Sequence, residues 1–303
     1  MKTLLTVSRM YALLRCPRFH YWRYEVGLRT ETDAAPLRFG SAWHRAMEIR
    51  GEGGDLDAAF SAGLGECPLD EVQAATLGGM LAGYYQQYAQ ETIVNIRPEV
   101  EFRMPIDGSR AFDAAGKIDG LAALTDGRQI VLERKTVGES IEPDSDYWIR
   151  LRADKQLFQY VLAARALQYD PAICVYDCAR KPCIRPRERE SAEEYGQRLA
   201  ADTAERPNFY FARREVPIIE QDLETFKIER IAIKDMILSL RQCSRRARQP
   251  ADAWPRNVSS RTCGTCEFAG FCLNGISVDP AAPPAGFRVG PANNELSAAV
   301  TAD

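Results

Sequence analysis

The sequence lacks any apolar run of the roughly 18 residues that a membrane-spanning helix requires. Lys2 and Arg9 interrupt the apolar stretch at its start, which is unlike a secretory signal peptide. The sequence also lacks a G-x-x-x-x-G-K-[S/T] motif, so it carries no evident P-loop ATPase motor of its own. It has no internal repeat. We therefore expect a soluble, cytoplasmic protein with no membrane partner.

Excess positive charge is missing as well, because the formal net charge is -3. Proteins that bind DNA mainly by neutralising its phosphates are usually strongly basic, so any contact with nucleic acid must be local. Two basic runs are candidates for such a contact, although each can equally be solvated surface. The first run contains Arg180, Lys181, Arg185, Arg187 and Arg189, and the second contains Arg241, Arg245, Arg246 and Arg248.

The chain has 303 residues, 46% of them hydrophobic, and is long enough to bury a sizeable core. Its length alone suggests one large domain or two small ones. We predict one such domain over residues 1–275. Residues 276–303 are rich in Pro, Ala, Gly and Asn, and this composition predicts a disordered tail.

The order of the predicted elements indicates a mixed α/β fold. The first hundred residues are mainly helical, and Ser8 is the predicted cap of a first helix that contains Cys16 and reaches Tyr24. Strand patterns begin after Val94. Helices and strands then follow in an order that predicts a central mixed β-sheet flanked by helices. The predicted strands cover residues 99–106, 112–124, 129–135, 173–178 and 208–216, and the later predicted helices cover residues 155–168, 191–205 and 220–248.

Two acidic residues and a lysine are the first candidates for chemistry. Asp119 lies late in the second predicted strand, and Glu133 and Lys135 end the third. Because side chains alternate along a strand, Glu133 and Lys135 share a face, and a hairpin partner can bring Asp119 beside Glu133. Two converging carboxylates repel each other unless a cation lies between them, and oxygen ligands suit Mg²⁺ or Mn²⁺. An isolated Glu-x-Lys pair, by contrast, is most often a surface ion pair.

Two further motifs accompany these residues. His44 ends the segment Gly-Ser-Ala-Trp-His, and Gln156 and Tyr160 are four residues apart, so they lie on one face of a predicted helix. With Asp119 and the Glu-Arg-Lys segment, they resemble the PD-(D/E)xK nuclease superfamily. The G-x-x-x-H and Q-x-x-x-Y elements resemble its RecB-like exonuclease branch, which includes CRISPR-associated exonucleases and AddB-type nuclease domains.

The resemblance implies a restriction-endonuclease-like core and a role for each residue. His44, Asp119 and Glu133 would bind Mg²⁺ or Mn²⁺, and Lys135 would act in catalysis with Asp119 and Glu133. Gln156 and Tyr160 would reach the lysine or the DNA backbone. Ile118 replaces the proline of the superfamily motif, and Glu101 stands where the branch often has a supporting acid.

The nine cysteines are better read as metal ligands and buried thiols than as disulfides, because the cytosol keeps thiols reduced. Cys263, Cys266 and Cys272 have a metal-binding spacing at the C-terminal end of the predicted domain. The resemblance implies that Cys16 is the fourth ligand of a structural 4Fe-4S cluster. Four thiolates also suit structural Zn²⁺, and we favour the iron-sulfur cluster. We interpret Cys174, Cys178 and Cys183 as buried thiols.

The resemblance implies a metal-dependent exonuclease that hydrolyses single-stranded or end-exposed DNA in DNA repair, recombination or CRISPR adaptation. A separate helicase or integrase would be its partner. The alternative is a non-catalytic nucleic-acid-binding or scaffolding subunit of a helicase-nuclease complex. The intact acid-acid-lysine set argues against that alternative, because buried charge without a function is costly.

Overall fold

A computed structural model describes residues 2–32, 34–276, 278–294 and 296–301 of the chain. It divides into two compact units, each assembled from separate segments of the sequence. Unit 1 comprises Met1–Asp33, Glu101–Gly116 and Leu223–Asp303, and unit 2 comprises Ala34–Val100 and Lys117–Asp222. Among the described residues, no helix is both long enough and apolar enough to cross a membrane.

Helices and strands intermix along the chain, as predicted. The strands are β1 (Thr3–Leu5), β2 (Leu28–Thr30), β3 (Ile93–Pro105), β4 (Phe112–Leu124), β5 (Gln129–Val137), β6 (Ile173–Arg180), β7 (Phe211–Pro217) and β8 (Phe287–Val289). The α-helices are α1 (Val7–Arg15), α2 (Pro17–His20), α3 (Ala35–Gly51), α4 (Leu56–Glu66), α5 (Glu71–Gln87), α6 (Asp146–Leu151), α7 (Lys155–Ala166), α8 (Ala192–Glu205), α9 (Pro207–Tyr210), α10 (Glu220–Ser244), α11 (Ser260–Cys263), α12 (Ala269–Leu273) and α13 (Ala298–Thr301). A π-helix spans Tyr21–Val26 and a 3-10 helix spans Pro250–Ala253.

The sheet of unit 2 is mixed, which confirms the predicted fold class. The later residues of β4 pair with β5 in antiparallel fashion, with Gly120 opposite Leu132. Strand β5 pairs with β6 in parallel, and β6 pairs with β7 in antiparallel fashion. A parallel pair needs a long crossover connection, and here helices α6 and α7 supply it between β5 and β6.

Helices α3, α5 and α8 bury a shared apolar core in unit 2, with Trp43, Leu77 and Leu199 at or below 1% exposure. Two glycines one helical turn apart let α5 lie close to α8. A Cβ atom at Gly83 would lie 2.2 Å from the Thr203 hydroxyl oxygen, and one at Gly79 would lie 3.0 Å from the Leu199 side chain. Any larger residue at Gly83 must therefore push the two helices apart.

The N-terminal helix of unit 1 differs from the prediction. Thr6, not Ser8, caps α1 by accepting a hydrogen bond from the Arg9 amide, and the helix ends at Arg15. Cys16 is extended, with φ of −166°, and Pro17 begins α2. The residue before a proline is disfavoured in helical geometry, and proline itself is well suited to start a helix. Cys16 therefore lies at the break between two helices, not within one.

The C-terminal segment makes specific contacts, although composition alone predicts disorder for residues 276–303. Strand β8 pairs with β2 in antiparallel fashion, with Arg288 opposite Arg29. Leu296 is 7% exposed and packs with Leu4 and Ala115. These contacts join residues far apart in sequence, which a compositional argument does not detect. The extent of disorder in this tail and the limits of the nuclease domain stay predictions.

Candidate functional site

Three residues of unit 2 bring potential metal-ligand atoms together. His44 lies on α3, Glu99 on β3 and Asp119 on β4, and one ligand atom of each lies within 4.8 Å of the other two. Nδ1 of His44 lies 3.7 Å from Oδ1 of Asp119. An imidazole nitrogen and two carboxylate oxygens are a ligand combination that divalent cations accept.

Glu99 is the member of this group that sequence reasoning missed. The sequence favours Glu101 as the supporting acid, but its carboxylate accepts hydrogen bonds from the amide (2.9 Å) and hydroxyl of Ser297. Glu99 instead forms an ion pair with Lys117. Its φ is +51°, a conformation that non-glycine residues rarely adopt and that is often found at functional sites. Strand alternation puts both acids on one face and so cannot distinguish them.

Asp119 is buried and is held by the backbone of the neighbouring strand. Its Oδ2 atom accepts a hydrogen bond of 2.8 Å from the Arg134 amide, while Oδ1 is the atom nearest His44. The β4–β5 register places Asp119 and Glu133 one position beyond the Gly120–Leu132 pair. The predicted convergence of the two acids is therefore present in the fold.

Glu133 is completely buried. Lys135 forms an ion pair with its Oε1 atom, and its Oε2 atom has no hydrogen-bond partner within the described part of the chain. Burial, and then the charge of Asp119, raise the pKa of Glu133 to about 8 against the opposing effect of Lys135. Such a group is costly unless a cation or a proton neutralises it. Glu133 is not part of the three-residue ligand group, so its role as a direct ligand stays a prediction.

Lys135 is held in place from the helical side of the site. Its ammonium group donates a hydrogen bond of 2.8 Å to Oε1 of Gln156. The amide nitrogen of Gln156 in turn donates to the Tyr160 hydroxyl at 2.9 Å. Burial opposes the charged form of Lys135, but the charges of Glu133 and Asp119 outweigh it and keep its pKa above the ordinary value. The Q-x-x-x-Y element thus contacts the catalytic lysine candidate directly.

Tyr160 is buried, and this burial raises its pKa well above the ordinary value. The phenol therefore stays neutral across the physiological range and serves as a fixed hydrogen-bonding group. The structure brings it to Gln156, as the helical spacing predicts, and any contact with DNA stays a prediction.

An open cleft of about 810 Å³ lies over the ligand group. His44, Glu99 and Asp119 line it together with Lys117 and Lys181. The Lys181 ammonium lies 5.4 Å from the centre of the Phe39 ring and donates to the Pro36 carbonyl at 3.3 Å. Burial lowers the pKa of Lys181. The cleft has room for a substrate segment and presents cations beside the carboxylates.

A comparison with family models decides the classification. The model described as the PD-(D/E)XK nuclease superfamily matches residues 4–273 of this chain. The chain belongs to the PD-(D/E)XK nuclease superfamily. The mixed sheet with flanking helices is accordingly a restriction-endonuclease-like fold.

Further comparisons add less. Among solved structures, the PD-(D/E)XK chain is similar to the crystal structure of SSO0001, with 14% identity, 91% coverage of this chain, 89% coverage of that chain and a TM-score of 0.35. A comparison with curated proteins finds no match.

The matched PD-(D/E)XK region also contains the four cysteines predicted to bind one cluster. All four line a single small cavity of about 20 Å³ in unit 1, together with Phe19, Trp22 and Phe268 among other residues. Cys16 is buried, and the other three are half-buried. The Asn257 amide donates to the Cys16 sulfur at 3.5 Å. The four cysteines predicted as a ligand set are Cys16, Cys263, Cys266 and Cys272.

The other cysteines of the PD-(D/E)XK chain follow the prediction only in part. Cys174 and Cys178 are buried, and burial raises the pKa of both thiols to about 12. Cys183 is exposed, so its interpretation as a buried thiol is wrong. It lies beyond the end of β6, where the chain has left the sheet.

Proposed function

We propose that this protein is a metal-dependent DNA exonuclease that acts on single-stranded or end-exposed DNA. The observation that carries the proposal is the meeting of His44, Glu99 and Asp119 around one potential cation position. Asp119 lies on β4, the strand that pairs with the strand of Lys135. Membership of the nuclease superfamily supports hydrolysis of phosphodiester bonds as the reaction class.

A divalent cation, Mg²⁺ or Mn²⁺, would polarise the scissile phosphate and lower the pKa of a water molecule. His44, Glu99 and Asp119 would hold it, and Glu133 would supply a further negative charge once it loses its proton. Lys135 would orient the attacking water or neutralise the charge that develops on the phosphate. Gln156 would keep the lysine ammonium aimed at that position.

The DNA contact is proposed to be local, because the chain as a whole is slightly acidic. In the second basic run, Arg241 forms an ion pair with Glu25, which also pairs with Arg9. The remaining arginines of that run are exposed, and among the described residues they form no ion pair: Arg245, Arg246 and Arg248. Unpaired arginines of this kind suit phosphate oxygens.

The first basic run supports a contact at the active cleft. Lys181 lines the cleft, and the Arg180 guanidinium lies 4.1 Å from the centre of the Phe209 ring. Arg185, Arg187 and Arg189 are exposed in the segment that follows. We propose that Lys181 contacts a phosphate of the bound strand and that the exposed arginines extend this contact.

We also propose that Cys16, Cys263, Cys266 and Cys272 bind a structural 4Fe-4S cluster, with Zn²⁺ as the alternative. The support is that all four line one small cavity. A cluster there would close a loop of roughly 250 residues and stabilise the fold by about 5 kcal/mol through loop entropy. Iron and labile sulfide measured on anaerobically purified protein test this. Stoichiometric zinc without iron would contradict it.

End-labelled DNA tests the proposed activity. Linear single-stranded, linear duplex and circular single-stranded substrates are incubated with Mg²⁺ or Mn²⁺, and then with excess EDTA. We expect metal-dependent cleavage of linear DNA, no cleavage of the circle, and near-complete loss of activity in Lys135→Ala. Lys227→Ala is the matched control, because Lys227 forms an ion pair with Glu224 on the same helix, α10.

The alternative outcomes separate the candidate functions. Cleavage of circular DNA contradicts an exonuclease. Tight DNA binding without cleavage under any metal favours the non-catalytic nucleic-acid-binding subunit. Copurification of a helicase or integrase with the tagged protein would support a role in DNA repair, recombination or CRISPR adaptation.

A further inference from the structure

Asp154 begins the helix that carries Gln156. It is the N-cap of α7, and its Oδ1 atom accepts a hydrogen bond of 2.9 Å from the Gln156 amide. The cap therefore fixes the backbone of Gln156, the residue whose side chain accepts a hydrogen bond from the Lys135 ammonium group. Capping of this kind holds the first helical turn in a defined orientation.

The other oxygen of Asp154 is bound from the sheet. The Tyr176 hydroxyl donates to Oδ2 of Asp154 at 2.5 Å. Tyr176 is completely buried on β6, and the β5–β6 register places it opposite Glu133. Burial and the nearby carboxylate of Asp154 raise the pKa of Tyr176, so the hydroxyl keeps its proton. Tyr176 thus donates a fixed hydrogen bond from the sheet to the helix start.

These contacts form a closed path around the lysine. It runs from β5 to Tyr176 on β6, through Asp154 to Gln156, and back to Lys135 on β5. We propose that Asp154 and Tyr176 are positioning residues that hold the Lys135 ammonium at its working position through Gln156. The proposal rests on the proposed nuclease function and adds two residues that are not among those lining the cleft.

A purely structural role makes a different prediction. If the two residues only stabilise α7, substitutions should lower the free energy of unfolding while leaving the turnover of folded protein unchanged. If they position Lys135, kcat should fall while KM for DNA and the affinity for Mn²⁺ stay the same. A misplacement of about 1 Å at a catalytic group can cost roughly 100-fold in rate.

Asp154→Ser tests the path with the helix cap retained, since serine is also a good N-cap but is too short to keep the Tyr176 contact. We expect kcat to fall about 10- to 100-fold. Asp70→Ser is the matched control, because Asp70 caps α5 in the same unit through its own capping box. In Asp154→Asn the side-chain oxygen can still cap α7, and the side-chain NH2 can donate to the Tyr176 hydroxyl, which also accepts, so the link is kept with its direction reversed. We expect this variant to stay within about threefold of wild type.

A double-mutant cycle then tests whether Tyr176 acts through Asp154. Tyr176→Phe removes only the hydroxyl and should lower kcat by about tenfold, whereas Tyr176→Phe combined with Asp154→Ser should be no slower than Asp154→Ser alone. The same cycle on chemical unfolding of the metal-free protein should show coupling between the two side chains.

The results that overturn the inference are distinct from those that overturn the function. Absence of cleavage by wild type removes the proposed function. If wild type cleaves DNA, three results contradict the positioning path. The first is an unchanged kcat in Asp154→Ser, and the second is a double variant whose reduction in kcat is the product of the two single reductions. The third is a kcat of Asp154→Asn as low as that of Asp154→Ser.

Discussion

The two candidate ligand sites of this chain differ most in their access to solvent. The His44, Glu99 and Asp119 group lies on a cleft of about 810 Å³. The four cysteines line a cavity of about 20 Å³ with aromatic neighbours. Catalytic metal sites keep an open position for water and substrate, whereas structural sites are closed. The difference predicts chemistry at the first site and stabilisation at the second.

The sites also differ in how their ligands are satisfied. Glu133, beside the open site, is completely buried, and its one ion-pair partner among the described residues is Lys135. The Cys16 sulfur has a backbone donor, Asn257, and sits beside apolar rings. A buried carboxyl group beside a cleft that carries other acids indicates a site kept ready for a cation, and such sites trade stability for function.

The largest effect is expected at the open site. Asp119→Asn should lower the rate of cleavage by at least about 1,000-fold, because it removes one carboxylate charge from the cation position. Iron content should be unchanged, which separates the two sites. Asp126→Asn is the control, since Asp126 is exposed on the turn between the same two strands. Residual activity above about 10% would contradict the assignment of Asp119.

The next effect concerns the closed site. Cys263→Ser should remove iron and lower the free energy of unfolding by about 3 to 5 kcal/mol, because the cluster no longer closes the long loop. Cleavage per folded molecule should change far less. Cys243→Ser, at an exposed cysteine, should do neither. Normal stability in an iron-free Cys263→Ser protein would show that the cysteines are not a structural staple.

The pH dependence of stability sharpens the contrast further. The pKa of Glu133 is raised from 4.5 to about 8 in the folded state, first by burial. A group whose pKa is higher in the folded than in the unfolded state contributes stability that is fully present when the pH is below the unfolded-state pKa. That contribution is lost as the pH rises through the folded-state pKa. The metal-free protein should therefore lose a few kcal/mol between about pH 4.5 and 8.

Chemical unfolding across this pH range measures that loss, with Glu133→Gln as the comparison. The variant cannot ionise and should show a flatter profile over the same window. Saturating Mn²⁺ should raise the free energy of unfolding of the wild-type protein at the alkaline end of the range. Identical profiles for wild type and Glu133→Gln would contradict the raised pKa.

The smallest effect tests Glu99, the ligand that the sequence did not indicate. Glu99→Gln should weaken Mn²⁺ binding by roughly 10-fold, a cost typical of losing one supporting carboxylate. Glu101→Gln should leave it unchanged, because its carboxylate bonds to Ser297. A larger loss of Mn²⁺ affinity in Glu101→Gln than in Glu99→Gln would favour Glu101, the supporting acid that the sequence predicts, over Glu99.

The sequence predicts local features of this molecule well where the regular spacing of side chains along one helix or strand decides them. The bounds of β4 agree with the predicted strand over residues 112–124, and the spacing of Gln156 and Tyr160 correctly brings their side chains together. Strand alternation also brings Asp119 and Glu133 to neighbouring positions. These features depend on contacts between adjacent elements.

Features that depend on backbone conformation or distant partners are not predictable in this way. The positive φ of Glu99 has no signature in a glutamate residue. The β2–β8 pairing joins Arg29 to Arg288 across most of the chain. The Tyr176–Asp154 hydrogen bond likewise depends on how the crossover helix packs against the sheet.

Binding of Mn²⁺, measured by loss of the free-ion electron paramagnetic resonance signal, tests the central claim most directly because it needs no DNA. Wild type and Lys135→Ala should each bind the ion, whereas Asp119→Asn should lose that binding and His44→Ala should weaken it. Equal Mn²⁺ binding by wild type and Asp119→Asn would contradict a cation site at His44, Glu99 and Asp119.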